Sequence, residues 1–208
     1  MTELYIVRHA QAEGNLRRTF QGSIEADITP LGYRQLEGLS AHFKNIPLDV
    51  IYVSPQVRTR RTAEAVQAGR DIPLVVEPGI REINVGAWEG RPIAEVEKEF
   101  AADMKVWRET PWLFQTKGSE SMAEVYARVR NAYEKILSES AGKRVAIVSH
   151  GCAMRNLLAY LMKGDIKGLK EGVWLQNVST TKVLVGEDNC PTVEYVNDYS
   201  YLSADMLG

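Results

Sequence analysis

Apolar and polar positions along this chain follow two periods. Leu4-Tyr5-Ile6-Val7 is a short apolar run that ends abruptly in polar residues, which predicts a buried strand. Val50 to Val53, stopped by Ser54-Pro55, and Val145 to Val148 predict two more buried strands, and Pro73 to Val76 a further one. Between these runs the spacing lengthens. Thr29-Pro30 marks a helix start, with Thr as N-cap and Pro at the first helical position. Leu36, Leu39 and Phe43 follow at i, i+3 and i+7. From about Val57 to Ala68 a helix is expected, with Ala63 and Val66 inside and Arg or Gln outside.

The second half continues the alternation. Ile93, Val96, Phe100, Met104 and Trp107 keep a helical spacing behind Pro92, predicting one helical stretch. Ser121-Met122-Ala123-Glu124 is a capping-box pattern, and Met122, Val125, Val129, Tyr133 and Ile136 form the stripe behind it, with Gly142 as C-cap. Ala153 to Met162 reads as a helix ended by Gly164. Thr180 to Val185 and Thr192 to Val196 flank Gly186-Glu187-Asp188-Asn189, which predicts a hairpin. The pattern implies an α/β fold of three layers, a mostly parallel central sheet with helices on both faces. No linker or repeat interrupts it, so a single domain over residues 1–208 is expected. The region from about Phe100 to Ser121, carrying Trp107, Trp112 and Phe114, reads as a small helical insertion or lid, with packing the preferred role for Trp107.

Composition narrows the class. Of 208 residues, 45% are apolar and 25% charged, which excludes a disordered or collagen-like chain. No apolar run approaches the roughly 18 residues of a membrane span, and Leu4–Val7 follows the start with no basic region before it. Cys152 and Cys190 lack disulfide-framework or zinc spacing and read as free thiols of a cytoplasmic protein. A net charge of −2 gives no reason to expect nucleic acid or a membrane as partner. The local charge is different: Arg8, Arg17, Arg18, Arg34, Arg58, Arg60, Arg61 and Arg70 crowd the first 70 residues, and none of the first 43 is Lys. Arg gives planar bidentate recognition of oxyanions, so a fixed anion site stands beside the blander reading of a solvated face.

Two of three histidines, His9 and His150, sit where apolar strands end, the edge at which open α/β sheets bind ligands. His42 is mid-helix and reads as a surface residue. Arg8 precedes His9, Asn15 follows on the loop, and Gly151 after His150 opens a helix whose bare N–H groups favour an anion. Arg58 lies at the start of the helix after the second strand, and the third strand leads into Arg81-Glu82. Two Arg and a His suit a dianionic phosphate; a neutral His can be a nucleophile and a carboxylate a proton donor. A His-Glu-His metal site is disfavoured because two Arg repel a cation and no HExxH or CxxC spacing occurs. A serine nucleophile has no GxSxG to support it.

An ordered series of motifs carries a resemblance. YIVRHAQAEGN at the start, FQG at Phe20–Gly22, DITPLGYRQ, VIYVSPQVRTRRTAEAV, REINVGAWEG, GSES and VAIVSHG together resemble the histidine phosphatase superfamily, the phosphoglycerate mutase-like proteins, over at least the first 150 residues. That resemblance implies His9 as the nucleophile that becomes phosphohistidine and Glu82 as the acid and later base. It implies Arg8, Arg58 and His150 as phosphate ligands assisted by Asn15, with Gln21, Gly22 and Gly151 in the pocket. No metal or organic cofactor is implied.

Two departures stand out. Ala10 occupies a position where the family most often has Gly. Glu82-Ile83-Asn84-Val85-Gly86-Ala87-Trp88 resembles the small phosphatases more than the mutases, so hydrolysis of a small phosphorylated metabolite is expected over mutase-type transfer. A non-catalytic phosphate-binding module is the remaining alternative, and retention of both His9 and Glu82 argues against it. Specificity is expected from Phe20, the Trp107–Phe114 stretch and the segment from Asp198, which can pack on the body, on the site or on a second subunit in a homodimer.

Overall fold

The computed structural model describes residues 1–207. Among them are strands β1 (Thr2–Arg8), β2 (Val50–Val53), β3 (Leu74–Val76), β4 (Arg144–Ser149), β5 (Thr180–Val185) and β6 (Pro191–Asp198). The helices are α1 (Glu13–Arg17), α2 (Pro30–Phe43), α3 (Val57–Gln67), α4 (Ile93–Glu99), α5 (Ala101–Glu109), α6 (Met122–Glu139) and α7 (Gly151–Lys163). The strands form one sheet in the order β3-β2-β4-β1-β5-β6. The first four in that order are parallel, and β5 and β6 extend the edge antiparallel.

In β1, β2 and β4 the apolar runs are continuous because both faces of the sheet are covered there, whereas β3, expected to be buried, lies at the sheet edge with Leu74, Val75 and Val76 exposed. In β1, Leu4 and Ile6 join the core beneath α6 and α7, while Tyr5 and Val7 join the core beneath α2 and α3. This is the two-residue alternation of a strand serving two layers. The helix starts form as their residues require. The Thr29 hydroxyl accepts the Gly32 N–H at 3.0 Å, Ser121 and Glu124 close a reciprocal capping box, and Gly164 ends α7 at φ 65°.

Several elements differ from expectation. The stretch from Ile93 to Trp107 is two helices broken at Phe100, whose ψ of 43° leaves the helical region. The break lets the Phe100 ring pack against Trp88 and under the Arg91 guanidinium. The C-cap of α6 is Ser140; Gly142, at φ 77°, shapes the turn into β4. His42 is half-buried, its ring stacked on Tyr201 at 4.1 Å. The cause is the tail, which folds back on α2: Arg34 pairs with Asp205, and Gln35 Nε2 donates to the Met206 carbonyl at 2.9 Å. The segment from Asp198 therefore packs on the chain's own body.

Candidate active site

β1 and β4 are neighbours in register, Arg8 opposite Ser149, so His9 and His150 leave the sheet side by side. Their ring centroids are 5.2 Å apart. On the far side of β4, β2 leads into Ser54, whose Oγ lies 2.7 Å from His150 Nε2. Arg58 lies in the first turn of α3, and the loop after β3 carries Glu82 into the same lining. All these groups stand at the C-terminal edge of the parallel strands, where the strand ends leave a crevice. The resulting cavity encloses about 440 Å³.

His9 is 3% exposed, and its Nδ1 lies 2.7 Å from the Ala10 carbonyl. A carbonyl only accepts, so Nδ1 carries the proton and Nε2 keeps its lone pair. Burial, then Arg58 and Arg8, hold the His9 pKa well below 6.5, which keeps the ring neutral. Its backbone is held as well: Asn177 Nδ2 donates to the His9 carbonyl at 2.8 Å. Burial depresses His150 in the same way, with Arg58, His9 and Arg8 adding to it.

The two guanidiniums are anchored and still have donors free. Arg8 donates through Nη1 to the Leu175 carbonyl. Arg58 donates to Ile24 O at 2.8 Å and Gly22 O at 2.9 Å. It is fully buried, so this part of the α3 face is internal rather than the polar outside that the pattern suggested. Arg8 Nε, Arg58 Nε and His150 Nδ1 are buried without a hydrogen-bond partner among the described residues. Buried polar atoms are nearly always paired, and unpaired ones call for an explanation such as an anion site. Burial works against the charge of both arginines, and Glu82 is the strongest compensating carboxylate for each.

Glu82 sits where a helix N-terminus meets a carboxylate. Its Oε1 accepts the N–H groups of Ile83 and Ala153, both at 3.0 Å, and its Oε2 accepts the Cys152 N–H at 3.1 Å. The start of α7, expected to be open to an anion, is thus engaged by Glu82. The macrodipole and the bare N–H groups favour that placement.

Arg8, His9, Arg58 and Glu82 line the cavity, whereas His150 is fully buried and does not; Asn15, Gln21, Gly22 and Gly151 line it as well. Asn15 caps α1 by accepting the Ala12 N–H at 3.0 Å. Gln21 places a buried, unpartnered Oε1 there. Gly22 has φ 47°, and a Cβ on it would fall 2.0 Å from Glu89 Oε1 and 3.0 Å from the Ile83 carbonyl, so this turn requires glycine. Gly151 opens α7 against Arg8 and Trp174. Phe20 and Trp107 line the mouth, so Trp107 does more than pack, while Phe114 is buried behind it. No described residue from Asp198 onward contributes to the lining.

Other residues here escaped the sequence reading. Trp174 and Arg155 line the mouth from a loop and a helix face that no motif marks. Arg128 and Glu120 brace the Glu82 loop: Arg128 donates to the carbonyls of Gly79, Arg81 and Glu82, and Glu120 accepts from Arg128 and from the Asn84 N–H. The GSES motif contains Glu120, which was the available signal.

Comparison with known proteins agrees with this geometry. Residues 4–199 match the model of the histidine phosphatase superfamily (branch 1). Phosphoserine phosphatase 1 of Hydrogenobacter thermophilus (strain DSM 6534 / IAM 12695 / TK-6) is 33% identical over 166 residues, covering 80% of this chain and 79% of that protein. The structure of Bacillus stearothermophilus YhfR superposes with a TM-score of 0.90 at 28% identity, over 97% of this chain and 99% of that one. The alpha-ribazole phosphatase from Shigella flexneri shares the fold with a TM-score of 0.84 at 21% identity, over 94% of this chain and 96% of that one. The motifs, the paired histidines and the match over residues 4–199 converge: this chain belongs to the histidine phosphatase superfamily.

Proposed function

We propose that this protein is a phosphomonoesterase that hydrolyses a small phosphorylated metabolite through a phosphohistidine on His9. The observation that carries the reading is the geometry of His9: buried, its Nδ1 2.7 Å from the Ala10 carbonyl so that Nε2 keeps its lone pair, in one lining with Arg8 and Arg58. In the first step Nε2 attacks phosphorus and the ester P–O bond breaks. The leaving oxygen takes its proton from Glu82. In the second step Glu82 removes a proton from water, water attacks the phosphohistidine, and the N–P bond breaks to release phosphate and restore His9.

Arg8, Arg58 and His150 hold the phosphoryl oxygens in this scheme, with Asn15 assisting. Charge-assisted bonds of this kind contribute about 1.5–3 kcal/mol each. Gln21, Gly22 and Gly151 shape the pocket around the ester. Residues 1–208 act as one domain in this reading, with the tail packed on α2 of its own chain. No helix among the described residues is long and apolar enough to cross a membrane. A cytoplasmic location belongs to the same proposal, supported by the two free thiols.

Phosphate release from p-nitrophenyl phosphate by wild type and His9→Ala tests the reading. Steady release by wild type, lost in the variant, is expected. An inactive wild type, or a variant that keeps more than a few per cent of turnover, overturns it.

A further inference from the structure

The cavity that receives the ester is far larger than a phosphoryl group, and its outer half is built for something specific. Beyond His9 and Arg58 the wall turns apolar: Phe20, Ile93, Met104, Trp107 and Trp174 line it. The Trp107 and Trp174 rings lie 6.1 Å apart with planes 30° from parallel, and Phe20 meets Trp107 edge-on at 5.9 Å. They form one continuous aromatic wall. Trp174 is 50% exposed although it adjoins the site. Apolar surface left open at the mouth of a pocket marks a binding face. It is also held in place, because the Arg155 guanidinium stacks on the indole at 4.2 Å and is itself tied to the Leu169 carbonyl at 2.7 Å.

The charges of the wall select further. Its charged residues are Arg8, Arg58, Arg108, Arg155 and Glu82. Glu82 is the one carboxylate in this lining among the described residues, and its oxygens already accept three main-chain N–H groups. Arg108 is itself paired with Glu97, so the ammonium group of a substrate would meet chiefly Arg8, Arg58 and Arg155. Like charges brought together in a desolvated site are strongly unfavourable.

We infer that the leaving group is a flat aromatic one without a cationic substituent, stacked on the Trp174–Trp107 wall. Trp174 is then a specificity-determining residue. The inference rests on the phosphatase reading and narrows it to aryl-bearing phosphomonoesters in preference to small aliphatic ones such as phosphoserine.

The test must separate the ring from the acidity of the leaving group, since phenols leave more readily than alcohols. 2-Phenylethyl phosphate, ethyl phosphate and phosphoserine all leave as primary alkoxides. For wild type, kcat/KM for 2-phenylethyl phosphate is expected to exceed that for each of the other two by about tenfold or more, the order expected of one aromatic contact plus buried area. Trp174→Ala should cut the preference over ethyl phosphate by about fivefold, through KM, and Trp174→Phe should retain most of it. A wild type that hydrolyses p-nitrophenyl phosphate yet uses phosphoserine or ethyl phosphate as well as the phenylethyl ester overturns the aryl assignment and leaves the phosphatase reading standing. An unchanged ratio in Trp174→Ala removes Trp174 from that role. Absence of turnover with every ester overturns both.

Discussion

The Arg128 guanidinium and the Glu82 backbone are joined directly: Arg128 Nη2 donates to the Glu82 carbonyl at 3.2 Å, while Nη1 of the same side chain takes the carbonyls of Gly79 and Arg81. One side chain from α6 thus fixes the loop that delivers the carboxylate. Arg128 and Glu120 are only 14% and 16% exposed, so their bond is well shielded from solvent. Arg128→Met is expected to lower stability by roughly 2–4 kcal/mol, on the scale of breaking a buried pair. It should also slow phosphorylation by alkyl esters more than by p-nitrophenyl phosphate, since Glu82 is displaced while the phosphate ligands are not. Urea unfolding and rapid-quench kinetics measure the two effects. Equal slowing of both esters would count against a role through Glu82.

His9 is expected to carry the covalent intermediate. Quenching under neutral or alkaline conditions with labelled substrate should trap the label on this residue, since phosphohistidine is lost in acid. Peptide mapping locates it. Label found on His150 would exchange the roles of the two rings.

Glu82→Gln separates proton donation from phosphate binding. The amide oxygen can keep two of the three N–H bonds to this side chain, so the fold should tolerate it. The burst with an alkyl phosphate is expected to slow by about 10²–10⁴-fold, and that with p-nitrophenyl phosphate much less, because nitrophenolate leaves unaided. Steady-state rates would conceal the difference, since the base role in hydrolysis is lost for both. Arg58→Ala should slow both bursts alike. It should also loosen the 22–24 loop, whose carbonyls Arg58 holds, and raise proteolytic sensitivity there.

Acid should weaken the fold early. His9 and His150 have pKa values held well below 6.5 by burial. Above the unfolded pKa both states are neutral and the histidines make no pH-dependent contribution. Below it the unfolded chain binds protons that the folded one refuses, so stability falls as pH drops until the folded pKa is reached. The slope is about 1.4 kcal/mol per pH unit for each such histidine. Urea unfolding at pH 7.5, 6.5 and 5.5 should show a decline steeper in the lower interval, and His150→Asn should roughly halve it, since His9 keeps its own contribution. Stability unchanged between pH 6.5 and 5.5 would contradict the buried, neutral assignment.

The sequence by itself determined the elements and the two histidines. Thr29-Pro30, Ser121 with Glu124, and Gly164 act within a turn of their own position, so their effect can be read without knowing the fold. The apolar strands ending at His9 and His150 are equally local, and the motif series around them carried the family. Only the tertiary structure decided that β4 lies between β1 and β2, which is what brings His150 beside His9 and under Ser54. It also decided that Arg58 is buried, that His42 stacks on Tyr201, and that Trp174 rather than the tail from Asp198 lines the site. Each of these depends on a partner distant in sequence. An Arg on a helix reads as solvent-facing until the chain that covers it is known, and a tryptophan in a loop has no periodicity to say where it points. The break at Phe100 has the same origin: local spacing favoured one helix, and packing against Trp88 outweighed it.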